Sequence, residues 1–380
     1  MAVACALSIA NLYYVQPLLA DMGQSFHTSA DQMGVVATLM QLGFATGLLL
    51  VVPLGDRYNR RTLIVGMLGV VTLALILVAL APTVTVLVVA GFVLGFATVV
   101  PQIIVPLAAS LAAPFERGRV VGTVMSGLLI GILLARTVSG IIGAYLGWQA
   151  VYWGAAGIMI VLALVLRFLL PEDRQRSTMG YGQLLRSLGS LIRTEPVLRE
   201  AGIFGALVLG AFSAFWVTLT FFLQTPPYHY GSEVAGLFGL VGVAGALAAS
   251  GVGRFADRFN VRYATGIALL IELCSFLCMW LTGYWLWGLI PGVILLDLGT
   301  QAAHVSNQTR IYSLNPAARN RLNTVYMMAI FIGGSLGSFL GTWGWSLAGW
   351  NGVCGVGVIM LVAALVVYAI NSKRAWVKQA

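Results

Sequence analysis

The stretch VPLGDRYNRR at residues 52–61 recurs as GRFADRFNVR at residues 253–262. Each copy follows a long apolar segment and sets an aspartate among arginines. The chain therefore consists of two similar halves about 200 residues apart. Further matches at one offset of 202 join Arg117-Gly118-Arg119 to Arg319-Asn320-Arg321, Gly131 to Gly333, and Gly147-Trp148 to Gly349-Trp350.

The composition excludes a soluble protein. Hydrophobic residues occupy 59% of the 380 positions, charged residues only 9%, and the mean hydropathy is +0.94. Soluble domains carry about 25% charged residues, so this chain cannot cover a water-facing surface. Disorder is excluded as well, since disordered chains combine low hydrophobicity with high charge. A soluble enzyme is therefore ruled out.

Twelve apolar runs are long enough to cross a bilayer as helices, because about 20 residues span the ~30 Å hydrocarbon core. We number these spans 1 to 12 in chain order and predict an all-α membrane protein. Residues 171–198 are polar and arginine-rich, with leucines at helical spacing, which predicts a cytoplasmic amphipathic linker. The linker separates an N-terminal six-helix bundle, residues 1–170, from a C-terminal bundle with a short cytoplasmic tail, residues 199–380. The spans cover residues 1–20, 31–54, 62–81, 86–110, 119–144, 150–170, 199–223, 232–252, 263–282, 286–309, 322–346 and 350–370.

The basic residues predict the orientation. Of the 21 Lys and Arg residues, 20 lie in or beside the loops after even-numbered spans or in the C-terminal tail. The loops after odd-numbered spans carry Asp31, His229 and Glu233 instead. Because cytoplasmic loops collect Lys and Arg, we expect both termini to be cytoplasmic in a bacterial inner membrane. The net charge of +9 thus reflects topology, and no nucleic acid partner is expected.

Two six-span halves in one orientation are typical of secondary transporters. A channel is the alternative, although no pore-helix or filter-like loop is visible. No P-loop occurs, so ATP is not the energy source. No catalytic constellation or metal-ligand spacing is visible either, so we expect neither an enzyme nor a cofactor.

Three motifs carry a family resemblance. The Asp-Arg-x-Asn-Arg-Arg loop at residues 56–61 resembles the signature loop of the major facilitator superfamily. Residues 122–140 of span 5 follow the spacing of the glycine-proline motif of its drug/proton antiporter branch, with Ala135-Arg136 where Gly-Pro is usual. The opening NLYYVQPLL, residues 11–19, is similar to bacterial sugar and nucleoside efflux permeases. The resemblance implies the major facilitator fold, two pseudo-symmetric six-helix bundles working by alternating access.

Ionisable groups inside spans are costly, so each is a functional hypothesis. Arg136 lies about 14 Å and Asp297 about 16 Å from the outer ends of spans 5 and 10, at 1.5 Å per residue. By resemblance both spans approach the central cavity, so we predict that the two residues face each other across it in at least one conformation and act in proton coupling. The alternative is a permanent buried pair that only fixes register. Glu272 in span 9 is either a paired structural residue or faces a partner chain.

A polar stripe runs along span 10. Four residues fall at i, i+4, i+7 and i+11 and share one helical face. This face is predicted to line the cavity, with His304 as a candidate proton carrier because histidine titrates near neutral pH. The alternative is hydrogen bonding between helices. The stripe comprises Asp297, Gln301, His304 and Gln308.

Other polar and aromatic residues in spans 1, 4 and 7 are also predicted to line the cavity, where they would suit a moderately hydrophobic or aromatic ligand. Packing between helices is the alternative for each of them. They are Asn11, Tyr14, Gln102, Phe215, Trp216 and Phe222.

The two arginine-rich loops are predicted to act as a gate. By resemblance, each aspartate latches the halves together when the cytoplasmic side is closed, at the positive end of a neighbouring helix. The alternative is a purely topological role for the arginines. The gating residues are Asp56, Arg57, Arg60, Arg61, Asp257, Arg258 and Arg262.

We therefore predict a monomeric secondary transporter that exports a small organic solute or drug-like compound against proton entry, with lipid as its surroundings. A proton-coupled importer or a uniporter is the alternative within the class. This alternative arises because Arg136 replaces the usual proline and because the family's span-4 arginine would fall near the uncharged Gly91.

Overall fold

The computed structural model describes residues 1–113, 115–172, 180–256, 261–315 and 318–377. Within these ranges every regular element is helical. A 3-10 helix, Val52–Asp56, follows α3. The α-helices are α1 (Ala2–Ala10), α2 (Val15–Phe26), α3 (Ala30–Leu50), α4 (Arg60–Ala79), α5 (Val84–Ala97), α6 (Val100–Leu111), α7 (Arg117–Leu146), α8 (Trp148–Leu169), α9 (Tyr181–Thr194), α10 (Pro196–Gln224), α11 (Ser232–Ala256), α12 (Val261–Thr282), α13 (Leu286–Tyr312) and α14 (Arg319–Val377).

Ten helical segments of the described chain are long and apolar enough to cross a membrane. One of them, Arg319–Asn371, has 53 residues, and Ala348 and Gly349 leave helical backbone angles in its middle, so it forms two arms. Helix α11 adds a shorter apolar stretch, Ser232–Val243. With the two arms counted separately, these segments supply the twelve predicted spans, and the predicted fold class is confirmed.

Spans 1 and 4 are interrupted shortly before a proline. A turn at residues 11–14 separates α1 from α2 ahead of Pro17, and α5 ends at Ala97 ahead of Pro101. A proline inside a helix has no N–H to donate, and its ring clashes with the carbonyl four residues earlier. Those carbonyls belong to Tyr13 and Ala97, where the regular helix is lost.

The internal repeat is visible in the packing. A Cβ built on Gly131 would strike the backbone of Ala6, and a Cβ built on Gly333 would strike the backbone of Ala206. Span 5 therefore packs closely on span 1 in the first half, and span 11 packs in the same way on span 7 in the second. Glycine is required at both positions because only a missing side chain lets the helices approach this closely.

The two halves contact each other toward the end that lacks the basic loops, through α2 with α10, α3 with α14 and α7 with α11. Gln41 Nε2 donates to Ser338 Oγ at 2.7 Å, and Gln41 Oε1 accepts from Ser213 Oγ at 3.3 Å. Thr220 Oγ1 donates to the carbonyl of Pro17 at 2.9 Å. Further hydrogen bonds between the halves join Ser335 to Thr38, Thr137 to Gly236, and Gln224 to both Gln24 and Asp21.

Helix α9 lies within the segment between the two halves. It buries Leu184 and Leu188, one turn apart, while Arg186 and Arg193 are exposed. The hydroxyl of Tyr181 donates to the carbonyl of Leu50 at 2.9 Å and ties the start of α9 to the end of α3. The described part of this segment is therefore an amphipathic helix.

Candidate functional site

A cavity of 740 Å³ lies between the two halves. Its lining extends from Arg136 and Asp297, inside the spans, to Arg60 and the exposed Arg319 at the basic ends of the helices. The cavity thus opens at the basic end, opposite the contacts that join the halves. The predicted site residues in its lining are Gln102, Arg136, Asp297, Gln301, His304 and Gln308, together with Asp56 and Arg60 of the first loop.

Arg136 is buried among polar and aromatic groups. Only 1% of it is exposed, and its Nε donates to Gln16 Oε1 at 2.7 Å. The guanidinium carbon lies 3.8 Å from the centre of the Trp216 ring, 5.2 Å from that of Tyr13 and 5.4 Å from that of Phe212. These distances allow cation–π attraction, which stabilises the buried charge. The Nη1 and Nη2 atoms have no hydrogen-bond partner among the described residues.

Asp297 reaches the same cavity from α13. It is 2% exposed, and its Oδ2 has no hydrogen-bond partner within the described ranges. A Cβ built on Gly242 would lie 2.9 Å from this oxygen, and one built on Gly239 would lie 3.0 Å from the Arg136 Cβ. Helix α11 therefore passes beside both charges without side chains of its own. In the described part of the chain no ion pair of 4.0 Å or less joins Arg136 to Asp297.

All four residues of the span-10 stripe line the cavity. The two nearer the basic end are also hydrogen-bonded to span 11. His304 Nδ1 lies 3.2 Å from the hydroxyl of Tyr326, and Gln308 Nε2 donates to Asn323 Oδ1 at 3.3 Å. His304 and Gln308 therefore both line the cavity and bond to another helix, so both alternatives for the stripe apply to them.

Two span-1 residues predicted to line the cavity, Asn11 and Tyr14, are not in its lining. Asn11 is fully buried, and its Nδ2 donates to the carbonyl of Ser8 at 3.0 Å and contacts Met159 Sδ at 3.3 Å. Tyr14 is 8% exposed and packs into the core of the first half. The turn ahead of Pro17 directs Tyr13 into the cavity instead.

The three span-7 aromatics predicted at the cavity also lie outside its lining. Phe222 stacks on Trp350 with ring centres 4.0 Å apart, and Phe215 meets the same indole edge-on at 6.0 Å. Both are therefore core residues of the second half, because each ring packs against the indole of Trp350 in span 12. Trp216 covers the Arg136 guanidinium from behind the cavity wall.

Glu272 is buried behind the cavity wall. It has no exposed surface and does not face a partner chain. Its Oε1 accepts a hydrogen bond from Thr300 Oγ1 at 3.4 Å, while Oε2 has no partner among the described residues. Thr300 also lines the cavity one turn from Asp297, so a single hydroxyl separates this carboxylate from the cavity. The described residues contain no group of three His, Cys, Asp or Glu side chains that could hold a metal ion.

Among the described residues, Asp56 and Arg60 of the first gating loop pair with each other. Asp56 Oδ1 lies 3.4 Å from Arg60 Nη2, and Arg60 Nε donates to the carbonyl of Gly55 at 2.9 Å. Arg61 lies 3.9 Å from Glu172. Arg57, next to Asp56, is exposed.

The second gating loop is described only in part, since Asp257 and Arg258 lie outside the described residues. Arg262 lies 3.4 Å from Glu200 on α10, which also holds Arg310 of α13 at 2.6 Å. Glu200 thus joins three helices of the second half at their basic end.

This architecture has known relatives. The family description of the Major Facilitator Superfamily matches residues 1–309. The chain belongs to the major facilitator superfamily. It is therefore a multi-pass membrane transporter and not an enzyme.

Two relatives and one solved structure are similar to this transporter over nearly its whole length. The "Uncharacterized transporter YgaY" of Escherichia coli O157:H7 is 42% identical over 97% of this chain and 93% of its own. The "Probable transporter SCO4007" of Streptomyces coelicolor is 34% identical over 98% and 87%. The crystal structure of a point mutant of the nucleoside transporter NupG superimposes with a TM-score of 0.78 over 97% of each chain, at 14% identity, which indicates a shared fold.

Several residues that surround the two buried charges were missed by sequence reasoning. Gln16 and Tyr13 lie in the span-1 motif, and the polarity of Gln16 inside an apolar span is the signal that could have identified it. Phe212 lies one turn before the predicted Trp216. The glycines of α11 offer no chemical signal at all, because their contribution is the space they leave.

Proposed function

We propose that this protein is a proton-coupled efflux transporter of the bacterial inner membrane, which exports a small organic solute by alternating access. Residues 1–170 and 199–380 act as the two moving bundles of a monomer, and 171–198 is their cytoplasmic linker. Both termini are cytoplasmic, since the basic loops belong on that side. No cofactor takes part, and the proton gradient supplies the energy.

The observation that carries the proposal is a cavity open at one end only, with two opposite charges buried in its wall. The contacts of Gln41 and Thr220 close the end that lacks basic loops, while the lining reaches Arg319 at the other. With the basic loops in the cytoplasm, this conformation is open to the inside. The repeat then supplies the second conformation, in which the halves rock about the same site.

Asp297 is the proposed proton site and Arg136 its counter-charge. A buried carboxylate is costly unless it is paired or protonated, so proton binding changes which conformation is favoured. Coupling follows if the ionised carboxylate and the protonated one prefer opposite conformations. His304, held by Tyr326 at 3.2 Å, is a second candidate for carrying the proton.

The test is transport by purified protein in liposomes, after a thermal-stability screen has identified a compound that binds. With the lumen acidic, we expect the wild type to accumulate this compound inside. Asp297→Asn is expected to abolish the dependence on the pH gradient while retaining exchange of the compound at a higher concentration. Glu272→Gln, a buried carboxylate outside the cavity lining, is the matched control and should retain coupling.

Full gradient-driven transport by Asp297→Asn would refute the coupling role. Import with protons, revealed by the opposite sign of the gradient response, would favour the importer. Saturable counterflow separates a carrier from a channel.

A further inference from the structure

Two buried charges of opposite sign face one cavity with unused hydrogen-bonding atoms. Nη1 and Nη2 of Arg136 and Oδ2 of Asp297 have no partner among the described residues. Both side chains are at least 98% buried, both line the cavity, and no described ion pair of 4.0 Å or less joins them. Unpaired buried charges are strongly unfavourable, so this arrangement calls for a ligand that satisfies both.

We infer that the transported compound is a zwitterion of the amino-acid type with an aromatic or large apolar side group. Its carboxylate accepts hydrogen bonds from Arg136 Nη1 and Nη2, and its ammonium group donates to Asp297 Oδ2. The planar guanidinium suits this role because its two terminal nitrogens match the two oxygens of a carboxylate. The inference rests on the proposed transport function and names the substrate class for the same cavity.

The two charged residues lie at similar depths, on either side of the same helix contact. Gly239 approaches Arg136 and Gly242 approaches Asp297, and three residues of helix rise by about 4.5 Å. The Arg136 Cβ and the Asp297 carboxylate therefore lie at similar depths along α11. Helix α11 packs its backbone directly against both residues at these glycines, so the ligand reaches them from the cavity, whose lining includes both residues.

The rest of the cavity suits an apolar side group. Phe212 and Tyr13 line it beside the guanidinium, and Ile132 and Leu133 line it on α7. Around these residues the wall is mainly hydrocarbon, so an aromatic or branched aliphatic group is stabilised by burial.

A ligand with one charge fits less well. A simple anion would satisfy Arg136 but be repelled by ionised Asp297. A simple cation would satisfy Asp297 but be repelled by Arg136. A zwitterionic substrate also couples substrate binding to proton binding in the sense that efflux requires. Protonated Asp297 no longer attracts the ammonium group, so an incoming proton displaces the substrate.

The experiment compares three probes of the same shape on the purified full-length transporter, by isothermal titration calorimetry. L-Phenylalanine carries both charges, 3-phenylpropionate only the carboxylate and 2-phenylethylamine only the ammonium group. L-Leucine tests the aliphatic side group. We expect the two amino acids to bind roughly 10- to 100-fold more tightly than either single-charge probe, as expected for one extra charge-assisted contact.

Variants identify the two ends of the ligand. Arg136→Lys keeps the charge but loses the paired donors, and is expected to weaken L-phenylalanine binding by about 10-fold. Asp297→Asn is expected to reverse the preference toward 3-phenylpropionate, a change that a merely structural role does not produce. Glu272→Gln should bind all probes like the wild type, and size-exclusion profiles verify that each variant is folded.

Equal or tighter binding of a single-charge probe, or no binding of either amino acid, would overturn the inference. Those results leave the transport proposal intact if another compound from the stability screen is moved by the pH gradient. Conversely, amino-acid binding without any gradient-driven transport would refute the transport proposal alone.

Discussion

Gln41 offers a direct test of how the two halves are held together. Its side chain makes two hydrogen bonds across the halves, to Ser338 at 2.7 Å and from Ser213 at 3.3 Å, and it is 7% exposed. The substitution Gln41→Leu removes both bonds and puts an apolar side chain of similar size in place of the amide. Both bonds belong to the conformation closed at the end without basic loops, so their loss is expected to favour the opposite conformation.

The size of the effect follows from the two bonds. Each intramolecular hydrogen bond contributes about 0.5–1.5 kcal/mol net, so the pair contributes about 1–3 kcal/mol. A change of this size shifts the ratio of the two conformations by about 5- to 150-fold. The shift is larger if the hydroxyls of Ser338 and Ser213 stay buried without new partners.

The measurement is the distance between spin labels at Ser29 and His229, which are exposed on different halves at the closed end. The labels are attached to cysteines in a background without the native ones, and the distance distribution is read by double electron–electron resonance. Thr46→Val is the control, because among the described residues this hydroxyl bonds only to the carbonyl of Leu42 in its own helix, at 2.8 Å. A folded Gln41→Leu variant with the wild-type distance distribution would show that these bonds do not hold the halves together.

Three further predictions concern stability and gating. Glu200→Gln is expected to lower the stability of the second half by roughly 3 kcal/mol, because two partly buried arginines lose their shared carboxylate. Differential scanning fluorimetry measures this change, and an unchanged melting temperature would contradict the prediction. Gly131→Val should prevent close packing of spans 1 and 5 and abolish the folded peak in size-exclusion chromatography, whereas Gly122→Ala, with open space around it, should fold normally. Asp56→Asn should leave the melting temperature nearly unchanged, since its ion pair is partly exposed, yet shift the accessibility of the two faces to thiol labels. Unchanged labelling on both faces would argue against the latch.

The sequence predicts the membrane fold well because the signals are coarse and redundant. Twelve apolar runs, a repeat of about 200 residues and the placement of arginines need no knowledge of packing. The depth of Arg136 and Asp297 follows from counting residues along straight helices. The span-10 stripe is likewise predicted, since one face of a single helix is set by periodicity alone.

The sequence does not predict how each helix is rotated about its axis. The sequence points to Tyr14, whereas Tyr13 lines the cavity, because the loss of regular helix ahead of Pro17 changes which side chain faces inward. Phe222 is an aromatic residue of the kind that contacts ligands, but its ring stacks on Trp350, which is distant in sequence. Such pairings depend on neighbours brought together by the fold, so they are read from structure.

The bonds that join the halves have a consequence for the environment in which the protein works. Those at Gln41, Ser335, Thr220 and Thr137 link neutral amides, hydroxyls and carbonyls. Dissolved salt screens charges and has little effect on such bonds. Ionic strength is therefore expected to have little effect on how firmly these four contacts hold the halves together.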